Sequence, residues 1–231
     1  MSASRLNALA WPDVPAGVLA VPVGSTEQHG PHLPVTTDTD IAEAIVDALS
    51  ERRPDVVVAP ALSYGSSGEH AGFAGTLSIG RDATELFLVE LGRSAADSFG
   101  RMLVVSTHGG NADPVNRAVR QLRDEGRSVL AWAPRWEGDA HAGRVETSVM
   151  LALAADRVDM GRAVPGNSTP LAELLPALSA GGTRSVSENG VLGDPTGASA
   201  NEGRVLLDAA IDDLEATVTD WMRVLTSTDD R

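Results

Sequence analysis

GVLAVPVGSTEQHGPHLPVTTDTD, residues 17–40, contains the transition that decides the fold. Its first eight residues, GVLAVPVG, form an almost uninterrupted apolar run of strand length. A strand that is apolar at successive positions, instead of at alternate ones, is buried on both faces, as in a parallel sheet covered by helices. Glu27 and His29 stand two positions apart where the run ends. If the backbone stays extended there, side chains i and i+2 point to one side, so a carboxylate and an imidazole can converge. His32, Asp38 and Asp40 follow before the next periodic segment.

Outward from this stretch the pattern alternates. DIAEAIVDALSERR (40–53) puts Ile41, Ala44, Ile45, Ala48 and Leu49 on one helical face, and DVVVAP (55–60) is a short β-rich run. RDATELFLVELGRSAADSFG (81–100) predicts a helix leading into the strand MLVVST (102–107); DPVNRAVRQLRDEG (113–126) predicts another helix, followed by the strand SVLAWAP (128–134). Four strands with crossover helices imply an α/β fold, a mainly parallel sheet flanked by helices on both faces, with ligands gathered at the carboxyl ends of the strands. Beyond about residue 160 the chain is rich in Gly, Pro, Ser and Asn and predicts long loops, with a short hairpin around GVLGDPTG (190–197) in which Asn189 and Asp194 serve turns. RVLLDAAIDDLEATVTDWMRVL (204–225) closes the chain as an amphipathic helix whose apolar face includes Leu206, Ala209, Ala210 and Leu214.

Composition narrows the function classes. At 231 residues and 42% hydrophobic, the chain supports one substantial core, and a single domain over 1–231 is expected. The absence of cysteine removes disulfides, thiolate nucleophiles and iron–sulfur ligation, leaving any metal to oxygen and imidazole donors. A formal charge of -14 and the lack of a basic patch interleaved with aromatics argue against nucleic acid as a partner. No apolar run reaches membrane-spanning length and the N-terminus does not read as a secretion signal, so a cytoplasmic location without membrane attachment is expected. Neither G-x-G-x-x-G after the first strand nor a phosphate-binding loop motif is present.

The strand ends carry the chemistry. At the third, His108 precedes Gly109, Gly110 and Asn111, so a histidine leaves the sheet edge in a tight turn. At the fourth, HAGRVET (141–147) places His141 in an approach loop and Glu146 in the first turns of a helix, where a carboxylate is also locally favourable without a ligand. Asp38, just before the first helix, can either turn back toward the first strand end or cap the helix, and Asp40 reads as a first-turn charge. Glu27, His29, Asp38, His108 and Glu146 emerge as metal-ligand candidates suited to zinc, manganese or iron, and two ions are compatible with carboxylates that bridge. Glu69 and His70, after the second strand, offer an alternative ligand assignment. Trp132 and Trp136 fill core or interface space, or wall a pocket.

VPVGSTEQHGPHLPVTTDTD, YGSSGEHAGFAGTLS, STHGGN and HAGRVETS, in that order within residues 9–155, resemble the creatininase (creatinine amidohydrolase) family. The resemblance implies a three-layer creatininase-like architecture and a centre of two divalent ions per subunit, Fe2+ and/or Zn2+ with Mn2+ as a further option. It implies that Glu27, His29, Asp38 and His108 are ligands, with Asp38 as the bridge. Creatininase itself places a glutamate ligand two residues after the last of these histidines, where this chain has Gly110. Members with HAGxxET use the glutamate of that motif, here Glu146, and its histidine, His141, then suits catalytic proton transfer to the departing nitrogen. The Gly110 departure argues against creatinine as substrate. Glu69 and His70 become residues of a pocket loop that orient the ligands through hydrogen bonds. Length, the opening LAWPDVPAG and the acidic composition are most similar to a branch of homo-oligomeric peptidases that releases a C-terminal Val-Tyr dipeptide from a modified precursor peptide. Amidohydrolases that open formamide groups share the metal motifs, and a non-catalytic scaffold on the same fold would leave the carboxylates and imidazoles without a task.

Overall fold

The structure, a computed structural model, describes residues 4–229. Its centre is a four-stranded sheet of β1 (Gly17–Val23), β2 (Val56–Val58), β3 (Gly100–Ser106) and β4 (Ser128–Trp132) in the order β2-β1-β3-β4. Every pairing is parallel: Val18 is in register with Val56, Gly17 with Gly100, and Arg101 with Ser128. Among the described residues six α-helices accompany it: α1 (Thr37–Arg52), α2 (Arg81–Ala95), α3 (Ala112–Asp124), α4 (Arg144–Ala154), α5 (Leu171–Gly181) and α6 (Ala200–Asp229).

The period of two along each strand sorts the core into two halves. Val18 and Ala20 of β1, Val56 and Val58 of β2, and Leu103 and Val105 of β3 point to one face, where Ile41, Ile45 and Leu49 of α1, Val149 and Met150 of α4, and Leu207, Ile211 and Leu214 of α6 cover them. Leu19, Val21 and Val23, with Val57, Met102 and Val104, point to the other, against Leu88 and Val89 of α2 and Val115, Ala118 and Leu122 of α3. Each fully buried aliphatic side chain contributes roughly 1.5–3 kcal/mol, which is why the strand runs are apolar at nearly every position. α6 lies directly on α4: a Cβ on Gly203 would stand 1.9 Å from the Ser148 carbonyl oxygen, so glycine sets that approach.

β1, β2 and β4 lie within the runs read from sequence, β3 opens two residues before its run, at Gly100, and helix edges and the tail differ. α1 begins at Thr37, so Asp38 belongs to its first turn instead of preceding it, while Asp40 accepts from Thr36 Oγ1 and pairs with Arg157. α2 ends at Ala95, because Gly100, at φ +73°, already opens β3. α5 was hidden by its Gly, Pro and Ser surroundings and contains Pro176. No hairpin forms at 190–197. Leu192 instead makes an antiparallel bridge with His141, and Pro195–Gly197 forms a single 3-10 turn whose Thr196 amide donates to Asp194. On α6, Ala209 faces solvent and the buried stripe runs through Leu207, Ala210, Ile211, Leu214 and Val218. Among the described residues no helix is long and apolar enough to cross a membrane.

Strand order places the site. The chain moves from β1 outward to β2, then crosses to β3 on the other side of β1. The loops leaving β1 and β3 therefore diverge, and open parallel sheets bind ligands in the crevice so formed.

Candidate metal centre

Five sequence-derived candidates meet at this crevice. Glu27 and His29 lie on the loop after β1 and are fully buried; Asp38 enters from the first turn of α1, His108 from the loop after β3, and Glu146 from the first turn of α4. Their donor atoms form interlocking groups, each within 4.8 Å: Glu27, Asp38 and His108; His29, Asp38 and Glu146; and Glu27, His29 and His141. Asp38 belongs to the first two, as a bridging carboxylate must. His141, read from sequence as a proton carrier outside the ligand set, lies close enough to join the third.

Local bonds orient these donors. Ser25 Oγ donates to Asp38 Oδ2 at 2.6 Å. His29 donates from Nδ1 to the Glu27 carbonyl oxygen at 3.1 Å, which turns Nε2 toward Asp38 Oδ1 at 3.3 Å and Glu146 Oε2 at 4.0 Å. His108 places Nδ1 3.4 Å from Asp38 Oδ2, while its Nε2 donates to the Ser66 carbonyl oxygen at 2.9 Å. Glu146 accepts from the Ala142 amide at 2.6 Å. Ala142 is the one described non-glycine residue with positive φ, 52°. Such a backbone conformation is uncommon outside glycine and concentrates at functional sites. Asn111 ties the sheet edge together, donating to the Gly24 carbonyl and accepting from the Ser66 amide.

The charges of the cluster favour a cation. Burial disfavours protonation of His29 and His108, yet Asp38 beside the first and Glu27 beside the second push both up to about 10. Burial would raise Glu27, but His108, His70 and His29 hold it below the usual carboxylate range. Burial pushes Glu146 up to about 7, against the pull of His29. Positive charge is strongly favoured here. Both oxygens of Glu27 are buried without a hydrogen bond, although His70 Nε2 and His108 Nε2 each come within 3.2 Å. A buried carboxylate lacking hydrogen bonds is costly unless a cation satisfies it. The mixed carboxylate and imidazole donors fit divalent zinc, manganese or iron.

At Gly110, where the sequence resemblance implies a glutamate in creatininase, the structure gives the local reason for glycine. A Cβ there would lie 2.3 Å from Glu69 Oε1 and from the Ser66 carbonyl oxygen, and 2.4 Å from His108 Nε2. The Glu69 carboxylate, 3.6 Å from His108 Nε2, occupies that space. A cavity of about 350 Å³ opens beside His108 and Glu146, walled by Val115, Ala131, Pro134 and Trp136, with Asn116 and Asp139 among its polar residues. Trp132 also touches it but is mainly a core residue: its indole N–H donates to Asp213 of α6 at 2.7 Å. Sequence reasoning did not single out Ser25, Asp139 or Gln28. Asp139 accepts from the Arg144 amide at the start of α4, and Gln28, between two ligand candidates, carries no motif signal apart from its neighbours.

Comparison with known proteins agrees with this geometry. Residues 7–218 match the family described as Creatininase: Creatinine amidohydrolase. The chain is 47% identical over 221 residues to the mycofactocin precursor peptide peptidase of Mycobacterium ulcerans (strain Agy99), covering 91% of this chain and 86% of that one. It is 48% identical over 215 residues to the protein of that name from Mycobacterium tuberculosis (strain ATCC 25618 / H37Rv), covering 88% and 85%. A solved structure named "Creatininase Mn" superposes with a TM-score of 0.80 at 24% identity, over 94% of this chain and 98% of that one, and shows the same three-layer α/β fold. With its parallel sheet, its buried donor cluster at the β1/β3 crevice and a family match across nearly its whole length, the chain belongs to the creatininase family of hydrolases.

Proposed function

We propose that the chain is a dinuclear metal-dependent peptidase that cleaves a C–N bond near the end of a modified mycofactocin precursor peptide, releasing a C-terminal Val-Tyr dipeptide. The observation that carries the reading is the pair of donor groups sharing Asp38, set against a cleft of substrate size in a chain 47–48% identical to peptidases of that name. Glu27, Asp38 and His108 would hold one ion, and His29, Asp38 and Glu146 the other. Bound divalent cations supply Lewis acidity for activating water and polarising an amide carbonyl.

The protein's own groups do the rest. Ser25 holds the bridging carboxylate in place, and the Glu27 carbonyl fixes the ring of His29. His141 donates from Nε2 to the Gln28 carbonyl oxygen at 2.8 Å, so Nδ1 faces Glu27 Oε1 at 3.8 Å. Burial and the neighbouring His29 and His70 hold its pKa well below the ordinary value, which keeps the ring neutral. A neutral Nδ1 at this position accepts a proton from the attacking water and returns it to the departing amine. The apolar wall of the cleft, Val115, Pro134 and Trp136, accommodates an aromatic ring near the peptide terminus.

Mass analysis after incubating metal-loaded protein with the modified peptide, the unmodified peptide, creatinine and a formamidopyrimidine tests the reading. Release of Val-Tyr from the modified peptide alone is the expected result. Deformylation with both peptides intact rejects the peptide substrate.

A further inference from the structure

Gln28 is 6% exposed and pinned at every polar atom. Its backbone amide donates to Thr76 Oγ1 at 3.1 Å. Its side-chain Oε1 accepts from the Gly30 amide at 2.8 Å, and its Nε2 donates to the Gly190 carbonyl oxygen at 3.0 Å. A backbone amide can only donate and a carbonyl oxygen can only accept, so these two contacts settle which end of the carboxamide is oxygen and which is nitrogen.

The carboxamide nitrogen then has one hydrogen left. Two imidazole nitrogens are near it, His70 Nδ1 at 2.9 Å and His141 Nε2 at 3.1 Å. His141 Nε2 is unavailable as an acceptor because it carries the hydrogen given to the Gln28 main-chain oxygen at 2.8 Å. The remaining hydrogen of Gln28 therefore goes to His70 Nδ1, which must be unprotonated to receive it. The proton of the neutral His70 ring is then on Nε2, 3.2 Å from Glu27 Oε1.

We propose that Gln28 is a positioning residue that sets the tautomers of two histidines, holding His70 as the Nε2–H form beside Glu27 and His141 as an Nε2–H ring whose Nδ1 is free toward the centre. The side chain of Gln28 governs the first and its main-chain oxygen the second. His70 is thereby kept out of the ligand set: its Nε2, 3.2 Å from Glu27 Oε1 without a hydrogen bond to it, carries the ring proton and has no lone pair to offer a cation. With the opposite tautomer, an Nε2 lone pair would face the Glu27 oxygen. The catalytic consequence rests on the proposed peptidase reading, whereas the proton positions do not.

The test uses zinc-loaded protein with 15N-labelled imidazole rings and long-range 1H–15N correlation, which distinguishes the Nδ1–H and Nε2–H forms. Single His→Gln variants assign the five histidines. The expected wild-type result is protons on Nε2 of both His70 and His141. In Gln28→Glu the new carboxylate can only accept, so His70 should move to the Nδ1–H form while His141 keeps Nε2–H. kcat on the peptide should fall about 10- to 100-fold with KM little changed. Gln28→Met, which keeps the shape but neither donates nor accepts as an amide does, should lose the single His70 tautomer. A wild-type His70 carrying its proton on Nδ1 overturns the proposal, as does a Gln28→Glu protein with wild-type tautomers and kcat. The wild-type spectrum decides even where the variants do not fold. If no peptide is cleaved but the tautomers are as stated, the peptidase reading fails and the assignment of Gln28 stands.

Discussion

The body of the sheet and its carboxyl edge obey opposite rules. In the body, Val18, Ala20, Val56 and Leu103 are buried by neighbours of their own kind. A few residues further along the same strands, Glu27 is equally buried, yet both its oxygens lack hydrogen bonds, and Ala142 holds a positive φ beside Glu146. The body gives stability; the edge spends some of it to hold charge in a fixed arrangement. Substitutions at the edge should therefore alter metal and turnover more than folding, and substitutions in the body the reverse.

The sharpest break of that contrast is Asp38→Ala. Asp38 is shared by two donor groups, so both ions should be lost and turnover with them, while the secondary structure survives. Metal content by plasma mass spectrometry together with circular dichroism checks it; full occupancy in a folded variant refutes the bridge. Next in size is His141→Ala, for which kcat should fall roughly 10²- to 10⁴-fold with metal content retained. Loss of metal before loss of rate would move His141 into the ligand set, which its position among Glu27 and His29 makes a definite alternative outcome.

Gly203→Ala probes the body. The added methyl would meet the Ser148 carbonyl at 1.9 Å and push α6 from α4, at a cost of about 1–3 kcal/mol in urea unfolding, with metal stoichiometry unchanged. The smallest effect concerns His32, which lies between the two regions and contacts Thr147 Oγ1 through Nε2 at 2.8 Å. Burial, with His29 nearby, pushes it down from 6.5 to about 4. Between those values the unfolded chain binds the proton and the folded one does not, so this contribution is full above pH 6.5 and lost as pH falls toward 4. In metal-free protein, the difference between wild-type and His32→Gln stability should narrow over that window; a constant difference contradicts the shift.

The same contrast explains what the sequence disclosed. The doubly buried strands were legible because two-sided burial demands apolar residues at successive positions, as in GVLAVPV. The ligand candidates were legible because Glu27, His29, His108 and Glu146 stand where apolar runs or helical periods begin and end. α5 and the Leu192–His141 bridge were not, because the tail is fixed by long-range contacts and individual caps such as Asp194, not by periodicity. Gln28 was invisible for a related reason: its role depends on Gly190 and His141, 162 and 113 residues away.

Anomalous diffraction from crystals of the zinc-loaded protein tests the account most directly. Two peaks should appear at the β1/β3 crevice, roughly 3.5–4 Å apart as in other two-metal hydrolytic sites, with Asp38 between them, Glu27 and His108 on one, and His29 and Glu146 on the other. A single peak, or a pair of peaks ligated by Glu69 and His70 without Asp38, would contradict it.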